Sequence, residues 1–239
     1  MESSLSDSVI IVAGGTGGLG GAISRLLLEH NARVAATFHR EEEFAALQKS
    51  VGDAQNRLAG FHVDVTDAGA TEKFVQEVRA RFTRIDGLVN TVGAYAGGLP
   101  LWETPAETFD RMIDLNLRSG YVLARTVVPV LREQKHGAIV NVSAKAAWDH
   151  AAGASAYAAS KAAALALMDS LAADLRGSGV RINSILPSII DTEANRRAMP
   201  QADSSQWPKP EDIARVVLFL LSNDARVIHG ASIPVFGTA

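Results

Sequence analysis

Short runs of apolar, largely β-branched residues alternate with longer helical patterns along almost the whole chain, and this alternation constrains the fold most. Between the runs, apolar residues recur at i, i+3 and i+4 positions, as in helices with one buried face. Such alternation predicts right-handed crossovers and a parallel sheet with helices on both faces. We therefore expect a doubly wound α/β fold with a mainly parallel, seven-stranded sheet, its strands at Val9–Ala13, Arg33–Phe38, 60–63, Gly87–Asn90, 138–143, 181–187 and 231–235.

No internal repeat and no linker rich in Pro, Gly or Ser divides the 239 residues, so the whole chain, 1–239, is expected to form one domain. One irregular stretch, about 189–209, is interrupted by Pro200 and Pro208. A loop of that length in a compact domain is more often a lid than a connector. We therefore expect a substrate lid at 189–209.

Composition and charge exclude several classes of protein. The chain has no cysteine, hence no disulfide and no thiolate chemistry, and its six histidines lack metal-ligand spacing, so no metal is expected. A net charge of −3 without a basic cluster argues against nucleic acid. The longest apolar run, 216–221, is too short to span a bilayer, and the start of the chain lacks the basic residues of a signal peptide. These features predict a cytoplasmic protein with a small-molecule substrate and no membrane partner.

A glycine-rich loop follows the first predicted strand directly and precedes a helix. Three of its glycines, Gly14, Gly18 and Gly20, have the spacing G-x-x-x-G-x-G. Such glycines allow a tight turn and let the backbone approach a pyrophosphate at the helix N-terminus, where free N–H groups attract anions. The loop therefore predicts a Rossmann fold with a dinucleotide bound at Gly14, Thr16, Gly17, Gly18 and Leu19.

The glycine spacing, the length and the strand order resemble the short-chain dehydrogenase/reductase family, and the resemblance extends over the entire chain. One departure is Ala13, where the family usually has a threonine whose hydroxyl braces the loop. The resemblance implies further contacts with NAD(P) at the carboxyl edge of the sheet, where doubly wound folds bind ligands. These positions are Asp64 and Val65, then Asn90, Val92 and Gly93, then Pro187, Ser188, Ile190 and Thr192.

Tyr157 and Lys161 form a Tyr-x-x-x-Lys pattern on an alanine-rich helix, a spacing that places both side chains on one face. An adjacent ammonium favours phenolate, so Lys161 is expected to lower the pKa of Tyr157 toward the range of efficient acid–base catalysis. Ser143, at the end of a strand, can donate a hydrogen bond to a substrate oxygen on which negative charge develops. The resemblance assigns the fourth catalytic position to Asn116, where a disturbed helix holds a water that links the lysine to solvent.

These four residues together imply hydride transfer between a nicotinamide and a carbonyl or alcohol, with Tyr157 as general acid or base and Lys161 also binding the nicotinamide ribose. Taken singly, the Tyr–Lys pair could lie on an ordinary surface and Ser143 could cap a turn. The alternative for the whole chain is a non-catalytic dinucleotide-binding regulator. The complete set of Asn116, Ser143, Tyr157 and Lys161 favours an enzyme, because a pure binder does not need it.

The lid from 186 to 207 resembles the dihydropteridine reductases, which leaves a quinonoid-dihydropteridine or quinone reductase as an alternative. Trp207 could stack on a flat heterocycle, and Asn195 or Arg196 could hydrogen-bond it. Those reductases lack the catalytic serine and favour NADH, whereas this chain has Ser143 and no acid at 38–40. A general carbonyl reductase is therefore the first expectation.

The end of the second strand bears on the choice of cofactor. No acidic residue stands at 38–40 to accept the ribose hydroxyls of NAD, and His39 and Arg40 can bind a 2′-phosphate. The sequence therefore favours NADP(H) over NAD(H). The alternative is that Arg40 merely pairs with the glutamates that follow it.

Two long helical patterns cover 105–131 and 154–175. Both carry apolar or small residues around more of their circumference than one buried face requires, which predicts contact with another copy of the chain. Because members of the resembled family commonly pair these two helices, we expect a homo-oligomer, a tetramer or else a dimer.

Overall fold

The computed structural model describes residues 5–237, and the ends of the predicted domain, 1–4 and 238–239, lie outside that part. Seven strands form one sheet in the order β3-β2-β1-β4-β5-β6-β7. Every neighbouring pair is parallel, so the predicted doubly wound α/β fold is confirmed and the sheet is parallel throughout. The strands are β1 Val9–Ala13, β2 Arg33–Phe38, β3 Leu58–His62, β4 Gly87–Asn90, β5 Gly137–Val142, β6 Val180–Pro187 and β7 Ser232–Val235.

Several strand ends differ from the predicted bounds. The strand predicted at 60–63 already begins at Leu58, because Leu58 pairs in register with Val34 of β2. β5 and β6 each begin one residue before the predicted start, where Gly137 pairs with Val180. β7 begins one residue later than predicted. β5 ends at 142, so Ser143 is the first residue after the strand rather than its last.

Helices cover both faces of the sheet. They are α1 Gly18–Glu29, α2 Glu41–Ser50, α3 Ala68–Phe82, α4 Ala106–Ile113, α5 Ser119–Gln134, α6 Ser155–Asp174, α7 Glu193–Ala198 and α8 Pro210–Leu221. α1, α2 and α8 contribute to the core on one face, and α3, α5 and α6 to the core on the other. Alternate residues of β1 enter the two cores, with Ile10 and Val12 in the first and Val9 and Ile11 in the second. This two-sided burial explains the unbroken apolar sequence of β1.

The helix predicted at 105–131 is in fact two helices. α4 and α5 are joined by a single π-helical turn, Asp114–Arg118, and α5 continues beyond the predicted end to Gln134. π-helical turns are rare in proteins, and those that occur are often found at functional sites. The turn contains Asn116, which is one of the predicted catalytic residues.

The helices α3 and α4 begin in different ways. Asp67 caps α3 by accepting a hydrogen bond from the N–H of Ala70 at 2.7 Å. Pro105 is the N-cap of α4, so the side chain of Thr104 does not cap this helix. The Thr104 hydroxyl instead donates to the carbonyl of Pro100 at 3.1 Å. Residue 104 therefore holds the preceding turn together.

The segment predicted as a lid leaves the sheet where β6 ends. It contains the short helix α7 and a 3-10 turn at Ser204–Gln206 before α8 begins. Its two ends are joined by a hydrogen bond from the N–H of Asp191 to the carbonyl of Pro208, 2.9 Å long. Within residues 5–237, no helix combines the length and apolar character needed to cross a membrane.

Candidate active site

Many of the predicted functional residues follow four strands that are adjacent in the sheet, β1, β4, β5 and β6. Ala13 at the end of β1 pairs with Asn90 of β4, which pairs in turn with Asn141 of β5. The chain order reverses between β2-β1 and β1-β4, which makes this edge a topological switch point. A ligand crevice is expected at such a point, outside the carboxyl ends of the strands.

The glycine loop leaves the N-terminus of α1 open. Gly17 is the N-cap, no side chain caps the helix, and the first turn carries no acid. The first N–H groups of a helix have no partner within it, so they can bind an anion here. A Cβ atom at Gly20 would lie 2.1 Å from the carbonyl oxygen of Gly14, which itself has a φ of +73°. Glycine is therefore required at both positions for the loop to turn this tightly.

Ala13 has no hydroxyl with which to brace the glycine loop, and two threonines elsewhere brace it instead. The N–H of Gly14 donates to Oγ1 of Thr37 at 2.9 Å, and the hydroxyl of Thr91 donates to the carbonyl of Ala13 at 2.7 Å. Neither side chain was predicted from the sequence to belong to the site. Hydroxyl residues at the ends of the strands that flank β1 were the signal that could have found them, because parallel strand ends meet at one edge.

The start of the segment predicted as a lid lies next to this loop. A Cβ atom at Gly18 would be 2.8 Å from Cγ2 of Thr192, so a side chain at 18 would collide with Thr192. Thr192 also caps α7 by accepting a hydrogen bond from the N–H of Asn195 at 3.2 Å. Before it, Ser188 donates to the carbonyl of Phe236 at 2.9 Å. The structure thus brings Thr192 to the glycine loop, whereas the Ser188 hydroxyl is engaged with the chain beyond β7.

The remaining Pro187 and Ile190 also lie at this edge. Pro187 is the last residue of β6 and is buried. The carbonyl of Ile190 accepts a hydrogen bond from Nδ2 of Asn195 at 2.8 Å. Asn195, which was predicted from the sequence as a possible hydrogen-bonding partner of a heterocycle, is therefore bonded to the main chain. Arg196 likewise has a partner within the same segment, in an ion pair with Asp191.

The residues after β3 have separate surroundings. Asp64 accepts hydrogen bonds from the hydroxyl and the N–H of Thr66, at 2.7 and 2.9 Å. The side-chain hydrogen bond, followed by the backbone one, lowers the pKa of Asp64, and His39 lowers it further through its charge. Val65 is buried in the core beneath α3. Asp64 is therefore exposed at the edge, while the Val65 side chain serves packing.

Asn90 shapes the turn after β4. Its Oδ1 accepts a hydrogen bond from the N–H of Val92 at 3.1 Å, and its Nδ2 donates to Oδ1 of Asn141 at 3.3 Å. These contacts direct the chain to Gly93. A Cβ atom there would lie 2.7 Å from Oδ1 of Asn116 and 3.0 Å from Nζ of Lys161, so a side chain at 93 would displace the polar ends of these two residues.

Asn116 binds the same turn through both ends of its amide. Oδ1 accepts from the N–H of Ala94 and Nδ2 donates to the carbonyl of Ala94, both at 2.9 Å. Nδ2 also lies 3.0 Å from the hydroxyl of Ser160, which donates to the carbonyl of Tyr157 at 2.7 Å. Ser160 was not predicted from the sequence, and it joins the π-helical turn to the helix that carries Tyr157.

Lys161 is buried, with 6% of its surface exposed. Its Nζ donates to the carbonyl of Val142 at 3.2 Å, and burial lowers the pKa of Lys161 to about 8. Ser143 donates to the carbonyl of Lys161 at 3.3 Å. That distance exceeds the usual range for hydroxyl donors, so the Ser143 hydroxyl can exchange this partner for a better acceptor.

Tyr157 differs from expectation in its acid–base properties. Burial, followed by the charge of Tyr95, raises the pKa of Tyr157 to about 12. The expectation that Lys161 lowers this pKa is wrong for this structure, because the ammonium donates to the Val142 carbonyl while the phenol is partly buried. Tyr157 is therefore held as a protonated phenol. Tyr95 was not predicted, although an aromatic residue just after β4 was a signal for it.

The site contains no arrangement suited to a metal. Within residues 5–237, no group of three or more histidine, aspartate or glutamate side chains is placed to hold a metal ion. What the crevice offers instead is an open helix N-terminus, a set of required glycines, and a phenol one helical turn from a buried ammonium. That combination can bind a phosphorylated ligand and transfer a proton beside it.

Known proteins are similar to this chain in sequence and in fold. A family model described as short chain dehydrogenase matches residues 8–203. The chain is 30% identical over 241 residues to 3-oxoacyl-(acyl-carrier-protein) reductase of Thermotoga maritima, covering 98% of each protein. It is 32% identical over 242 residues to D-threitol dehydrogenase of Mycolicibacterium smegmatis, covering 98% of this chain and 93% of that protein. The crystal structure of levodione reductase matches with a TM-score of 0.91 and 28% identity, over 97% of each chain.

The family match covers most of the chain, and the similar proteins are dehydrogenases and reductases of nearly the same length. The glycine loop and the Tyr-x-x-x-Lys helix lie at one edge of a sheet with the matching topology. The chain is an enzyme of the short-chain dehydrogenase/reductase family, whose members bind NAD(P).

Proposed function

We propose that this enzyme catalyses hydride transfer between a nicotinamide cofactor and a carbonyl or alcohol substrate, with Tyr157 as the general acid or base. The observation that carries the proposal is that the side chains of Asn116 and Lys161 meet at Gly93. Lys161 lies one helical turn from Tyr157 on α6. Proton exchange requires a phenol that is held in place and an adjacent positive charge. Both are present at the edge where the glycine loop opens.

The residues present fit a nicotinamide dinucleotide. The uncapped N-terminus of α1 suits a pyrophosphate, and Gly18 is required because Thr192 leaves no space for a side chain. The bound cofactor supplies or accepts the hydride. The residues proposed to hold it are Gly14, Thr16, Gly17, Gly18, Leu19, His39, Arg40, Asp64, Val65, Asn90, Val92, Gly93, Tyr157, Lys161, Pro187, Ser188, Ile190 and Thr192.

The side chains of the site have distinct roles in reduction. With a pKa of about 12, Tyr157 is protonated at neutral pH and can give its Oη proton to the substrate oxygen. Ser143 exchanges its long bond to the Lys161 carbonyl for one to that oxygen. Lys161, with a pKa of about 8, remains largely an ammonium at neutral pH, and once the phenolate has formed it can exchange its bond to the Val142 carbonyl for an interaction with that charge. Asn116 positions the turn at Ala94 against the helix of Tyr157.

Oxidation of an alcohol needs the reverse proton transfer, from substrate to phenolate. The raised pKa of Tyr157 opposes that direction at neutral pH. Reduction is therefore the direction that this arrangement supports better. Oxidation is expected to accelerate as the pH rises, because ionisation of the phenol then becomes less costly.

Replacement of Tyr157 by phenylalanine tests the mechanism. Tyr157→Phe should bind the reduced cofactor nearly as the wild type does and lose turnover by roughly 10²–10⁴-fold, since only the exchangeable proton is removed. Tyr121→Phe, which changes an exposed tyrosine of α5, is the matched control and should keep full turnover. Wild-type turnover by Tyr157→Phe on any good substrate would contradict the mechanism.

A carbonyl compound is the first proposed substrate class, ahead of a quinonoid dihydropterin. Support for this order comes from residues 189–209, where Asn195 and Arg196 already have partners in Ile190 and Asp191. A panel of ketones, quinones and quinonoid dihydropterin tests it. Turnover of the dihydropterin far above that of simple ketones would reverse the order, and its complete absence would remove the second class.

NADP(H) is proposed as the favoured cofactor over NAD(H). The support is the lack of an acid at 38–40 together with His39 and Arg40, both exposed just after β2. Arg40 pairs with Glu43 in the structure, so its charge is not freely available. Fluorescence titration with both reduced cofactors measures the preference. An NADH preference above roughly tenfold would overturn it.

A further inference from the structure

Glu43 connects two parts of the proposed cofactor site that are far apart in sequence. Its Oε2 accepts a hydrogen bond from the hydroxyl of Thr16 at 3.1 Å, across 27 residues of sequence. Its Oε1 forms an ion pair with Nη2 of Arg40. Thr16 belongs to the glycine loop and Arg40 immediately follows β2. One carboxylate therefore joins the loop to the end of β2.

The two neighbouring glutamates behave differently. Glu41 and Glu42 are exposed in the first turn of α2, where the helix dipole stabilises acidic residues. The side chain of Glu43 is only 32% exposed and turns back toward the loop. Three acids that look equivalent in sequence thus divide into two on the helix surface and one at the crevice.

The end of the second strand is where doubly wound proteins distinguish the two dinucleotides. An acid there accepts the ribose 2′-hydroxyl, and an arginine accommodates a 2′-phosphate. This chain has the arginine in place and brings a carboxylate to it from the next helix. A 2′-phosphate would have to displace that carboxylate from Arg40 and from Thr16, and it would be repelled by its negative charge.

We propose that Glu43 is a specificity-determining residue, which restrains binding of the 2′-phosphorylated cofactor by occupying Arg40 and Thr16. The inference rests on the proposed binding of a nicotinamide dinucleotide at this edge. NADH lacks the 2′-phosphate and does not compete for Arg40. Glu43 therefore acts on the ratio of the two affinities rather than on both equally.

Glu43→Gln tests the inference by removing the charge while keeping the shape of the side chain. The dissociation constant of NADPH, measured by fluorescence titration, should fall by roughly threefold or more, whereas that of NADH should change by less than about twofold. The gain should shrink at high salt, because both charged groups are partly exposed. Adenosine 2′,5′-bisphosphate and AMP, titrated by calorimetry, isolate the 2′-phosphate and should show the same difference without any redox chemistry.

Glu42→Gln is the matched control, since it removes the same charge one residue away and should leave both affinities unchanged. The double variant Glu43→Gln/Arg40→Gln should lose the gain, because the freed arginine is its source. Thermal unfolding checks that Glu43→Gln is folded, and Glu43→Ala provides a second variant at the same position.

Unchanged NADPH affinity in both Glu43 variants would overturn the inference. A weaker affinity for NADH in Glu43→Gln would also overturn it, because Glu43 would then be an acceptor for ribose hydroxyls. Failure of the proposed function has a different signature. In that case the wild type and Glu42→Gln would bind neither dinucleotide.

Discussion

The ring of Tyr95 meets the ring of Tyr157 edge-on, with centroids 5.0 Å apart and planes inclined at 75°. Tyr95 lies in the turn after β4 and is 66% exposed, so it covers the proposed catalytic phenol from the solvent side of the crevice. The contact joins the segment that Asn116 holds to the helix that carries Tyr157. It also contributes to the raised pKa of Tyr157.

Substitution of Tyr95 should therefore change the pH dependence of the reaction. Tyr95→Phe keeps the edge contact but removes the second phenol, and Tyr95→Ala also opens Tyr157 to water. Both should lower the pKa of Tyr157 from about 12, with the larger shift in Tyr95→Ala because burial is the main cause of the elevation. The rising limb of the pH profile for alcohol oxidation should move to lower pH. An unmoved limb in both variants, as in a Tyr121→Phe control, would contradict the assigned role of Tyr95.

Lys161 should make stability depend on pH. Burial lowers its pKa from 10.5 to about 8, so between these values the unfolded chain binds a proton that the folded protein does not. Stability due to this residue is therefore lowest below about pH 8 and rises as the pH increases toward 10.5. Near neutral pH, Lys161→Met should unfold at a higher urea concentration than the wild type. Its free energy of unfolding should be larger by at most about 3 kcal/mol. The difference should narrow as the pH rises from about 8 toward 10.5.

Lys73→Met, at an exposed position of α3, is the control for that experiment. Its difference from the wild type in free energy of unfolding should not narrow as the pH rises. Urea unfolding of all three proteins across the pH range measures the effect. A difference between Lys161→Met and the wild type that stays constant with pH would show that the lysine is not desolvated as described.

Thr91→Val tests the bracing of the glycine loop. The variant loses the 2.7 Å hydrogen bond to the carbonyl of Ala13, and it places a methyl group where Oγ1 lies against Gly14. We expect a loss of about 1 kcal/mol in the free energy of unfolding together with weaker dinucleotide binding. Thr126→Val removes a hydroxyl bond of 2.9 Å within α5 and serves as the control for binding. If Thr91→Val bound the dinucleotide as tightly as Thr126→Val, the bracing role would be wrong.

The proposed oligomer should depend on a face of small residues on α6. Ala159 and Ala166 are exposed, and Ala162 and Ala163 between them are partly exposed, which allows another helix to approach closely. We expect a tetramer by light scattering at micromolar concentration, and Ala166→Glu should shift it to smaller species. Ala80→Glu, at an exposed alanine of α3, should not. A wild-type monomer, or an unchanged mass for Ala166→Glu, would contradict this interface.

Much of the fold could be predicted because the relevant forces act over short stretches of sequence. An unbroken apolar run such as Val9–Ala13 is stable only between two layers, so its position as a strand buried on both faces followed directly. The requirement for glycine at Gly14 and Gly20 is also local, since a tight turn before a helix has few solutions. The i, i+4 spacing of Tyr157 and Lys161 likewise assigns both side chains to one helix face.

The tertiary structure decided what depends on contacts between distant segments. Apolar periodicity runs through 105–131 without a break, and only the family resemblance implied a disturbed helix at Asn116. The π-helical turn found there coincides with the bonds of Asn116 to Ala94 on another segment. The pKa of Tyr157 was predicted in the wrong direction, because spacing to Lys161 is local whereas burial beneath Tyr95 is not. The engagement of Arg40 by Glu43 could be anticipated as a local pair, but the link from Glu43 to Thr16 could not. Spacing determines which groups share a face, whereas desolvation and long-range hydrogen bonds determine their charge and partners, and these exist only once the chain has packed.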